Sequence, residues 1–392
     1  MSHRYRLDPT AVQAAVMVQH CADARFVWNL ALEQANFYRP DRGQTPNSAK
    51  RMRQLTEARQ DSWLGEGSTV VQQAALRDFD QALKNWWGGT HRRPTWRKRD
   101  RHDGFVIRDL TVRRLNRKWA TVQVPKVGPV RFRLSRPLPA DTKSARVALD
   151  RTGRWHVSFT AVPEQTDGPA DGSVVGIDRG IVIDYQASDG RTWDVAGLRS
   201  TEAARLRRLQ RSLARQTKGS NRRARTKGRI ARLRAREADR RKDTIEKATT
   251  TLARTADVVA LEDLRVIHMM RSPTGTIDMF GVNVAQKRGL NRSIAQTGWA
   301  MFAQRLGHKI GDRMVLVPAA GTSQTCNSCG HRDKESRESQ ARFVCRSCGV
   351  VCNADLNAAL NIAAAGRAVV GRGRDGAVGP PDEASTDLIG AA

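Results

Sequence analysis

The sequence lacks any run of about 18 consecutive apolar residues, so nothing in it resembles a membrane-spanning helix. Its first residues, MSHRYRLDPTAVQ, lack the apolar core of a secretory signal peptide. We therefore expect an intracellular, cytoplasmic protein with no membrane partner. Apolar residues still make up 39% of the 392 residues, which is enough for hydrophobic cores in two or three domains.

Acidic residues are scarce relative to basic ones, with 39 Asp and Glu against 68 Lys and Arg and a net charge of +29. Such a charge repels itself in a compact fold unless a polyanion neutralises it. Nucleic acid is the first candidate, and an anionic membrane surface is a weaker one.

The charge bias is strongest in residues 199–242, which hold 18 Lys and Arg against three Asp and Glu. Leucines and isoleucines form apolar stripes on both sides of the break Lys218-Gly219-Ser220-Asn221. This pattern predicts an antiparallel helical hairpin over residues 199–255 whose basic faces contact phosphates. A solvated coiled coil is the alternative interpretation, although such helices usually mix both charge signs.

Cysteine is also scarce, and four of the six cysteines form the pattern C-x2-C-x15-C-x2-C. These four are Cys326, Cys329, Cys345 and Cys348. In a reducing compartment, paired cysteines indicate a metal site rather than disulfides. Two knuckles at this spacing are typical of a zinc ribbon, and four thiolates leave no open position, so the Zn²⁺ is expected to be structural. Cys21 and Cys352 are predicted to be small buried residues, and His331 is not needed as a ligand.

Three acids stand at the ends of predicted elements. Asp178 ends the apolar run VVGID, Glu262 ends VVALE, and Asp355 opens an alanine-rich helix. At one edge of an α/β sheet their carboxylates would repel one another unless Mg²⁺ or Mn²⁺ neutralised them. Two such ions could stabilise the attacking water and the leaving oxygen of a phosphodiester. Taken singly, each acid is more typical of an ordinary strand end or helix cap; the combination favours a metal site.

Other segments of the sequence predict a multidomain α/β and β protein. We expect a strand at residues 1–10, helices over 11–85, short strands of a small barrel or sheet over about 105–163, and a helix over about 291–311. The Gly/Pro-rich residues from about 366 onward predict a disordered tail.

Three motifs, VGIDRG, VVALEDL and CNADLNAALNI, resemble the acidic motifs of a RuvC-type nuclease domain, which has an RNase H-like fold. HRYRLDPT, PTWRKR, KRGLNRSI and TSQTCNSCG extend the resemblance over about residues 3–363 to the TnpB family, the OrfB-type proteins of bacterial insertion sequences. That family comprises RNA-guided DNA endonucleases related to compact type V CRISPR effectors. The resemblance implies cleavage of target DNA next to a short adjacent motif.

The resemblance also implies an organisation of the chain. Asp178, Glu262 and Asp355 would be catalytic carboxylates that hold two Mg²⁺ ions, and the zinc ribbon would guide a strand toward them. The expected domains are a β-barrel wedge domain (1–10 and 91–165), a helical recognition lobe inserted in it (11–90), a RuvC nuclease core (171–320 and 352–366) with the inserted basic hairpin, a zinc ribbon (321–351) and a disordered tail (367–392).

The implied partners are a guide RNA and double-stranded target DNA in the bacterial nucleoid, and the chain could act alone or as a homodimer. The candidate nucleic-acid contacts are Trp96, Arg97, Lys98, Arg99, Arg222, Arg223 and Arg225. For residues 96–99 the equal alternative is a core tryptophan followed by solvated surface cations. A transposon or a CRISPR system could supply the guide. An RNA-independent nuclease or transposase and a non-cleaving DNA-binding regulator remain as other functions.

Overall fold

In a computed structural model, the structure describes residues 2–37, 46–140, 142–162, 165–275, 280–339 and 341–371. The described residues up to 162 form one compact unit, and those from 165 onward form a second. None of the helices in these ranges combines the length and the apolar character needed to cross a bilayer.

The first unit contains a seven-stranded antiparallel sheet. Its strands are β1 (Ser2–Asp8), β2 (Gly104–Arg108), β3 (Val112–Arg114), β4 (Trp119–Val124), β5 (Gly128–Arg133), β6 (Ser144–Leu149) and β7 (Trp155–Thr160). Their order is β2-β6-β7-β1-β5-β4-β3. β1 joins the two halves because residues 2–6 pair with β7 and residues 7–8 pair with β5. The predicted strands are confirmed, whereas closure of the sheet into a barrel stays a prediction.

The unit also contains three helices, α1 (Ala11–Asn36), α2 (Ser48–Gln60) and α3 (Thr69–Trp87). α1 and α3 pack on β2 of this sheet, and α2 packs on α3. A capping box starts α1, since the Thr10 hydroxyl accepts from the Gln13 backbone N–H and the Gln13 side chain accepts from the Thr10 N–H. Apolar residues of the helices and of the strands belong to one continuous core, which includes Phe79 of α3 and Phe105 of β2. The predicted helices are therefore confirmed, and they share their hydrophobic core with the strands.

The second unit is built on a five-stranded sheet. Its strands are β8 (Val174–Asp178), β9 (Tyr185–Ala187), β10 (Thr192–Trp193), β11 (Val258–Glu262) and β12 (Met314–Val317), in the order β10-β9-β8-β11-β12. β8, β11 and β12 are parallel to one another. β11 is buried on both faces, because Val259 and Leu261 point into one core and Val258 and Ala260 into another. The sequence of a strand buried on both faces is an unbroken run of apolar residues.

Helices cover both faces of this sheet. They are α4 (Ser200–Ala214), α5 (Asn221–Thr255), α6 (Val266–Met269), α7 (Val284–Thr297), α8 (Trp299–Ile310) and α9 (Ala354–Gly371). α5 and α8 contribute to one core and α9 to the other. α4 and α5 form the predicted hairpin, whose base is closed by Glu202 of α4 and Arg240 of α5 at 2.6 Å.

Two predictions about helices near the carboxyl end need correction. The helix expected over 291–311 begins at residue 284 and is interrupted at Gly298, whose φ of 79° lies in the left-handed region that favours glycine. The expected disordered tail began at residue 367, but α9 continues to Gly371 because Val369 and Val370 pack against the core beneath that helix. The rest of that tail lies outside the described residues.

Candidate active site and four-cysteine cluster

The structure brings the three predicted acids to one edge of the second sheet. Asp178 is the last residue of β8, and Glu262 is the last residue of the parallel, neighbouring β11, next to the Ile177–Leu261 pair. Asp355 lies in the first turn of α9, which packs on β8. All three line a cleft of about 300 Å³ together with Arg337 and Trp299. Parallel strands end at the same edge of a sheet, so residues far apart in sequence meet there.

The cleft is electrostatically unfavourable for three carboxylates. Burial, together with the charges of Glu262 and Asp355, raises the pKa of Asp178 to about 7, although Arg337 opposes the rise. Burial also raises the pKa of Asp355, against the lowering effect of the same guanidinium. Crowded carboxylates with raised pKa values are the condition in which a bound cation is most stabilising.

Two of the acids have polar partners that the sequence did not point out. Arg337 donates to the Asp355 carboxylate at 3.1 Å, and the Thr322 hydroxyl donates to Glu262 Oε1 at 2.5 Å. Both partners come from the insertion that carries the cysteines. The insertion therefore contacts the carboxylates directly, which its position in the chain did not reveal.

Arg179 is a second cation beside the acids. Its side chain is buried and lines the cleft, and it donates to the backbone oxygen of Glu262. This bond links the residue after the end of β8 to the end of β11. Arg179 is part of the motif VGIDRG, but its direction could only be seen in the folded chain.

The four predicted cysteines form one cluster. The sulfur atoms of Cys326, Cys329, Cys345 and Cys348 all lie within 4.8 Å of one another. The Cys326–Cys348 and Cys329–Cys345 Sγ distances are 3.7 and 3.6 Å. A disulfide needs about 2.05 Å, whereas four sulfurs about 2.3 Å from a tetrahedral Zn²⁺ lie about 3.8 Å apart. The geometry therefore fits a tetrahedral metal site.

Cys345 and Cys348 lie in the turn of a small hairpin formed by β13 (Arg342–Val344) and β14 (Val351–Asn353), whereas Cys326 and Cys329 lie in a separate knuckle before it. The N–H of Cys348 donates to the Cys345 sulfur and lowers the pKa of that thiol to about 6, which favours the thiolate that binds metal. Cys352 of β14 lies beside the cluster and is not among its four sulfurs; it is half-buried rather than fully buried as predicted. Cys21 is buried in α1, as predicted.

Two asparagines of α9 attach the first cysteine knuckle, Cys326–Cys329, to the helix that carries Asp355 in its first turn. The Asn357 amide donates to the Thr325 carbonyl at 2.8 Å, and its oxygen accepts from the Asn327 N–H at 3.0 Å. The Asn361 amide donates to the carbonyls of Thr322 and Thr325 at 2.8 and 2.7 Å. The acidic and cysteine motifs gave no indication of this role, although two asparagines four residues apart in an alanine-rich helix are a usable signal.

The predicted contacts of the basic hairpin are not equivalent. Arg222 and Arg225 are exposed on α5. Arg223 donates instead to the backbone oxygens of Leu213 and Gln216 at the end of α4. The guanidinium of Arg223 therefore closes the hairpin turn, because the last carbonyls of a helix need donors.

The predicted contacts in the first unit divide in the same way. Trp96, Lys98 and Arg99 are exposed, so Trp96 is not a core residue. Arg97 is half-buried, and its guanidinium lies 3.6 Å from the centre of the Trp28 ring. The interpretation of Arg97 as a phosphate contact therefore loses its support.

Models of three protein families match separate parts of the chain. The OrfB_IS605 model, described as "Probable transposase", matches residues 156–273. The model described as "Cas12f1-like, TNB domain" matches residues 299–362, and the OrfB_IS605 "Helix-turn-helix domain" model matches residues 1–39. In the structure, the described part of residues 1–39 is β1 followed by the single helix α1.

Curated relatives match nearly the whole chain. The chain is 33% identical over 377 residues to "Putative RNA-guided DNA endonuclease InsQ" of Escherichia coli (strain K12), covering 94% of this chain and 93% of that protein. It is 30% identical to a protein of Streptomyces pristinaespiralis with the same description, covering 93% of this chain and 89% of that one.

The chain is also similar to known CRISPR proteins. It is 47% identical over 53 residues to the CRISPR-associated endodeoxyribonuclease Cas12f1 of Sulfoacidibacillus thermotolerans, covering 14% of this chain and 13% of that protein. A cryo-EM structure of a CRISPR-Cas12f ternary complex matches 90% of this chain and 81% of that chain at 17% identity, with a TM-score of 0.31. The whole-length identity to the curated relatives shows that this chain belongs to the OrfB family, the TnpB proteins of insertion sequences.

Proposed function

We propose that the chain is an RNA-guided DNA endonuclease that hydrolyses target DNA next to a short adjacent motif. The convergence of Asp178, Glu262 and Asp355 in one cleft carries this proposal. The family relatives named as RNA-guided DNA endonucleases support it over nearly the full length of the chain. The net charge of +29 fits polyanionic partners, namely a guide RNA and a double-stranded DNA target.

The three carboxylates fit Mg²⁺ or Mn²⁺, because oxygen donors are the ligands these ions prefer and the raised pKa of Asp178 reflects burial first and the charges of Glu262 and Asp355 second. When bound, such ions activate water and stabilise the leaving oxygen of a phosphodiester. Asp178 must lose its proton to act as a ligand. Thr322 fixes the carboxylate of Glu262, Arg337 balances the charge of Asp355, and Arg179 holds the ends of β8 and β11 together.

The four thiolates fit Zn²⁺ as a structural ion. All four ligand positions are protein sulfurs, so the ion would have no open position for substrate. Its binding energy would fold the insertion, roughly 10–16 kcal/mol in small zinc domains. A folded insertion would present Thr322 and Arg337 to the carboxylates and guide a strand toward them.

The remaining parts are assigned roles through the family. The sheet of the first unit would be the wedge domain, closed as a barrel, and its helices the recognition lobe. The exposed Arg222 and Arg225 would contact nucleic acid. Sequence selection would come from base pairing between guide and target, with the protein reading only the adjacent motif. Cutting of this kind acts on DNA in the bacterial cytoplasm, by one chain or by a homodimer.

The decisive experiment purifies the chain from cells that carry its native locus and sequences the RNA that remains bound. A defined RNA with a variable 3′ segment is expected, and its match to a transposon end or to a repeat array identifies the system that supplies the guide. Random RNA, or none, contradicts guided cutting and favours an RNA-independent nuclease or transposase.

A cleavage assay then tests the carboxylates. The Asp178→Ala variant, loaded with the same RNA, is expected to bind a matched DNA duplex and to leave it uncut, because one ligand of the ions is gone. The wild-type chain is expected to need Mg²⁺ or Mn²⁺ for cutting. Binding without cutting by the wild-type chain would instead identify a DNA-binding regulator.

A further inference from the structure

The backbone around Trp96 is fixed to α1 on both sides of that residue. The Trp28 Nε1–H donates to the Thr95 carbonyl at 3.0 Å. The Asn29 side chain donates to the Arg97 carbonyl at 3.1 Å and accepts from the Arg97 N–H at 2.8 Å. These three bonds hold the backbone of residues 95–97 against α1, and none of them uses the Trp96 side chain.

The indole of Trp96 lies on the open side of this segment. Its exposed fraction is 46%, a large value for an aromatic side chain, and it makes no ring–ring or cation–π contact within the described ranges. The neighbouring Arg97 guanidinium lies over Trp28 instead, which fills the inner side. An exposed indole on an anchored backbone loses little conformational freedom when it binds a ligand.

The next residues form a fixed basic turn. The Lys98 N–H donates to His102 Nδ1 at 2.9 Å, and the Lys98 carbonyl accepts from the His102 N–H at 3.0 Å. The Asp103 carboxylate accepts from the Asp100 N–H at 2.7 Å and from Arg25 at 2.6 Å. Lys98 and Arg99 are exposed at this turn, so two cationic residues follow Trp96 in the chain on a backbone that is held in place.

We propose that Trp96 stacks on an unpaired nucleobase of a bound strand, and that Lys98 and Arg99 contact the phosphates flanking that base. The inference deepens the proposed function, on which it rests for the presence of a nucleic acid. Aromatic stacking accepts any base and is strong enough to change the dissociation constant by about 5- to 150-fold per base. RNA and single-stranded DNA share this chemistry.

The test measures binding of the full chain to a short labelled single-stranded RNA and to the DNA of the same sequence, at several salt concentrations. Trp96→Ala is expected to raise Kd by about 5- to 150-fold for the strand whose base stacks on Trp96. The slope of log Kd against log salt is expected to stay unchanged. Trp96→Phe keeps most of the affinity. The Lys98→Ala/Arg99→Ala double variant lowers the slope by about 1.4, since each lost phosphate contact accounts for about 0.7 on a single strand.

Trp87→Ala is the matched control, because Trp87 is 64% exposed in the same unit but is the last residue of α3 and not part of the basic turn. The strand for which Trp96→Ala loses affinity, RNA, DNA or both, is the strand that stacks on Trp96. If the wild-type chain and Trp96→Ala have equal Kd values on both strands, stacking by Trp96 is ruled out while the proposed function stands. An equal loss of affinity in Trp87→Ala, or a changed salt slope in Trp96→Ala, also rules out stacking by Trp96. Failure of the wild-type chain to bind either strand overturns the proposed function as well.

Discussion

Replacing Asp178 by Asn should stabilise the metal-free protein, and it should do so more at high pH than at low pH. Asn has nearly the same volume and can still accept the hydrogen bond that the Arg179 N–H gives to Asp178. It removes one negative charge from a cleft that already contains Glu262 and Asp355. The variant therefore separates the electrostatic cost of this carboxylate from its packing.

The size of the effect follows from the pKa of Asp178, which is 3.8 ordinarily and about 7 in the fold. Between these values the folded state keeps a proton that the unfolded state has released, so the free energy of unfolding falls as pH rises, and it levels off above the folded pKa. The full difference corresponds to about 4 kcal/mol, of which about 2 kcal/mol develops between roughly pH 5.5 and 8.5. Asp178→Asn has no carboxylate at this position, so its free energy of unfolding should not show this decrease as pH rises.

The assay is urea unfolding in Mg²⁺-free buffer at both pH values, followed by hydrogen exchange of peptides from β8 and β11, which report the second unit. Asp243→Asn is the control, because it alters only an exposed ion pair with Lys247, worth about 0–1 kcal/mol. Added Mg²⁺ should stabilise the wild-type chain and have less effect on Asp178→Asn. If the free energies of unfolding of wild type and Asp178→Asn differ by the same amount at both pH values, the charge of Asp178 does not destabilise the fold and the reasoning is refuted.

Three further predictions concern the parts that support the cleft. Cys345→Ser should lose bound zinc and cripple cleavage or folding; metal analysis and a cleavage assay check this, and unchanged activity would contradict it. Asn361→Ala should leave the Thr322 carbonyl without this donor, while the Thr325 carbonyl keeps the Asn357 amide. It should cost about 1–3 kcal/mol and raise the Mg²⁺ concentration for half-maximal cutting while zinc content stays constant; an unchanged Mg²⁺ requirement would show that the knuckle does not position the carboxylates. Gly176→Ala should lower the thermal midpoint, because the new Cβ would lie 2.3 Å from the Ala359 carbonyl oxygen and overpacking costs about 1–3 kcal/mol. Gly228→Ala, in the middle of α5 with open space around it, should instead raise the midpoint; equal shifts in the two variants would contradict the close packing of α9 on β8.

Local sequence patterns predicted most of the elements. The apolar runs before Asp178 and Glu262 are the buried strands β8 and β11, because a strand covered on both faces leaves no polar position. The helix around 291–311 was predicted less well, since periodicity alone did not reveal the interruption at Gly298. The end of α9 was missed because Gly and Arg around residue 367 suggested a tail, whereas packing of Val369 and Val370 extends the helix.

Charge alone was a weaker guide to individual contacts. The sequence treats Arg222, Arg223 and Arg225 alike, yet Arg223 is directed to the backbone of the hairpin turn. The guanidinium of Arg97 likewise lies over the Trp28 ring. A long cationic side chain has many rotamers, and the neighbours that select one of them are set by folding rather than by local sequence.

The sequence by itself determined the residue types of both sites: the four thiols, whose fixed spacing lies within one short insertion, and three acids placed at the ends of strands and at the start of a helix. Only the tertiary structure decided that the two sites are joined, through Thr322 on Glu262, Arg337 on Asp355 and Asn361 on the first knuckle. The reason is physical. Spacing along the chain fixes contacts within a turn or a knuckle, whereas contacts between β11, α9 and the insertion depend on how the helices pack on the sheet.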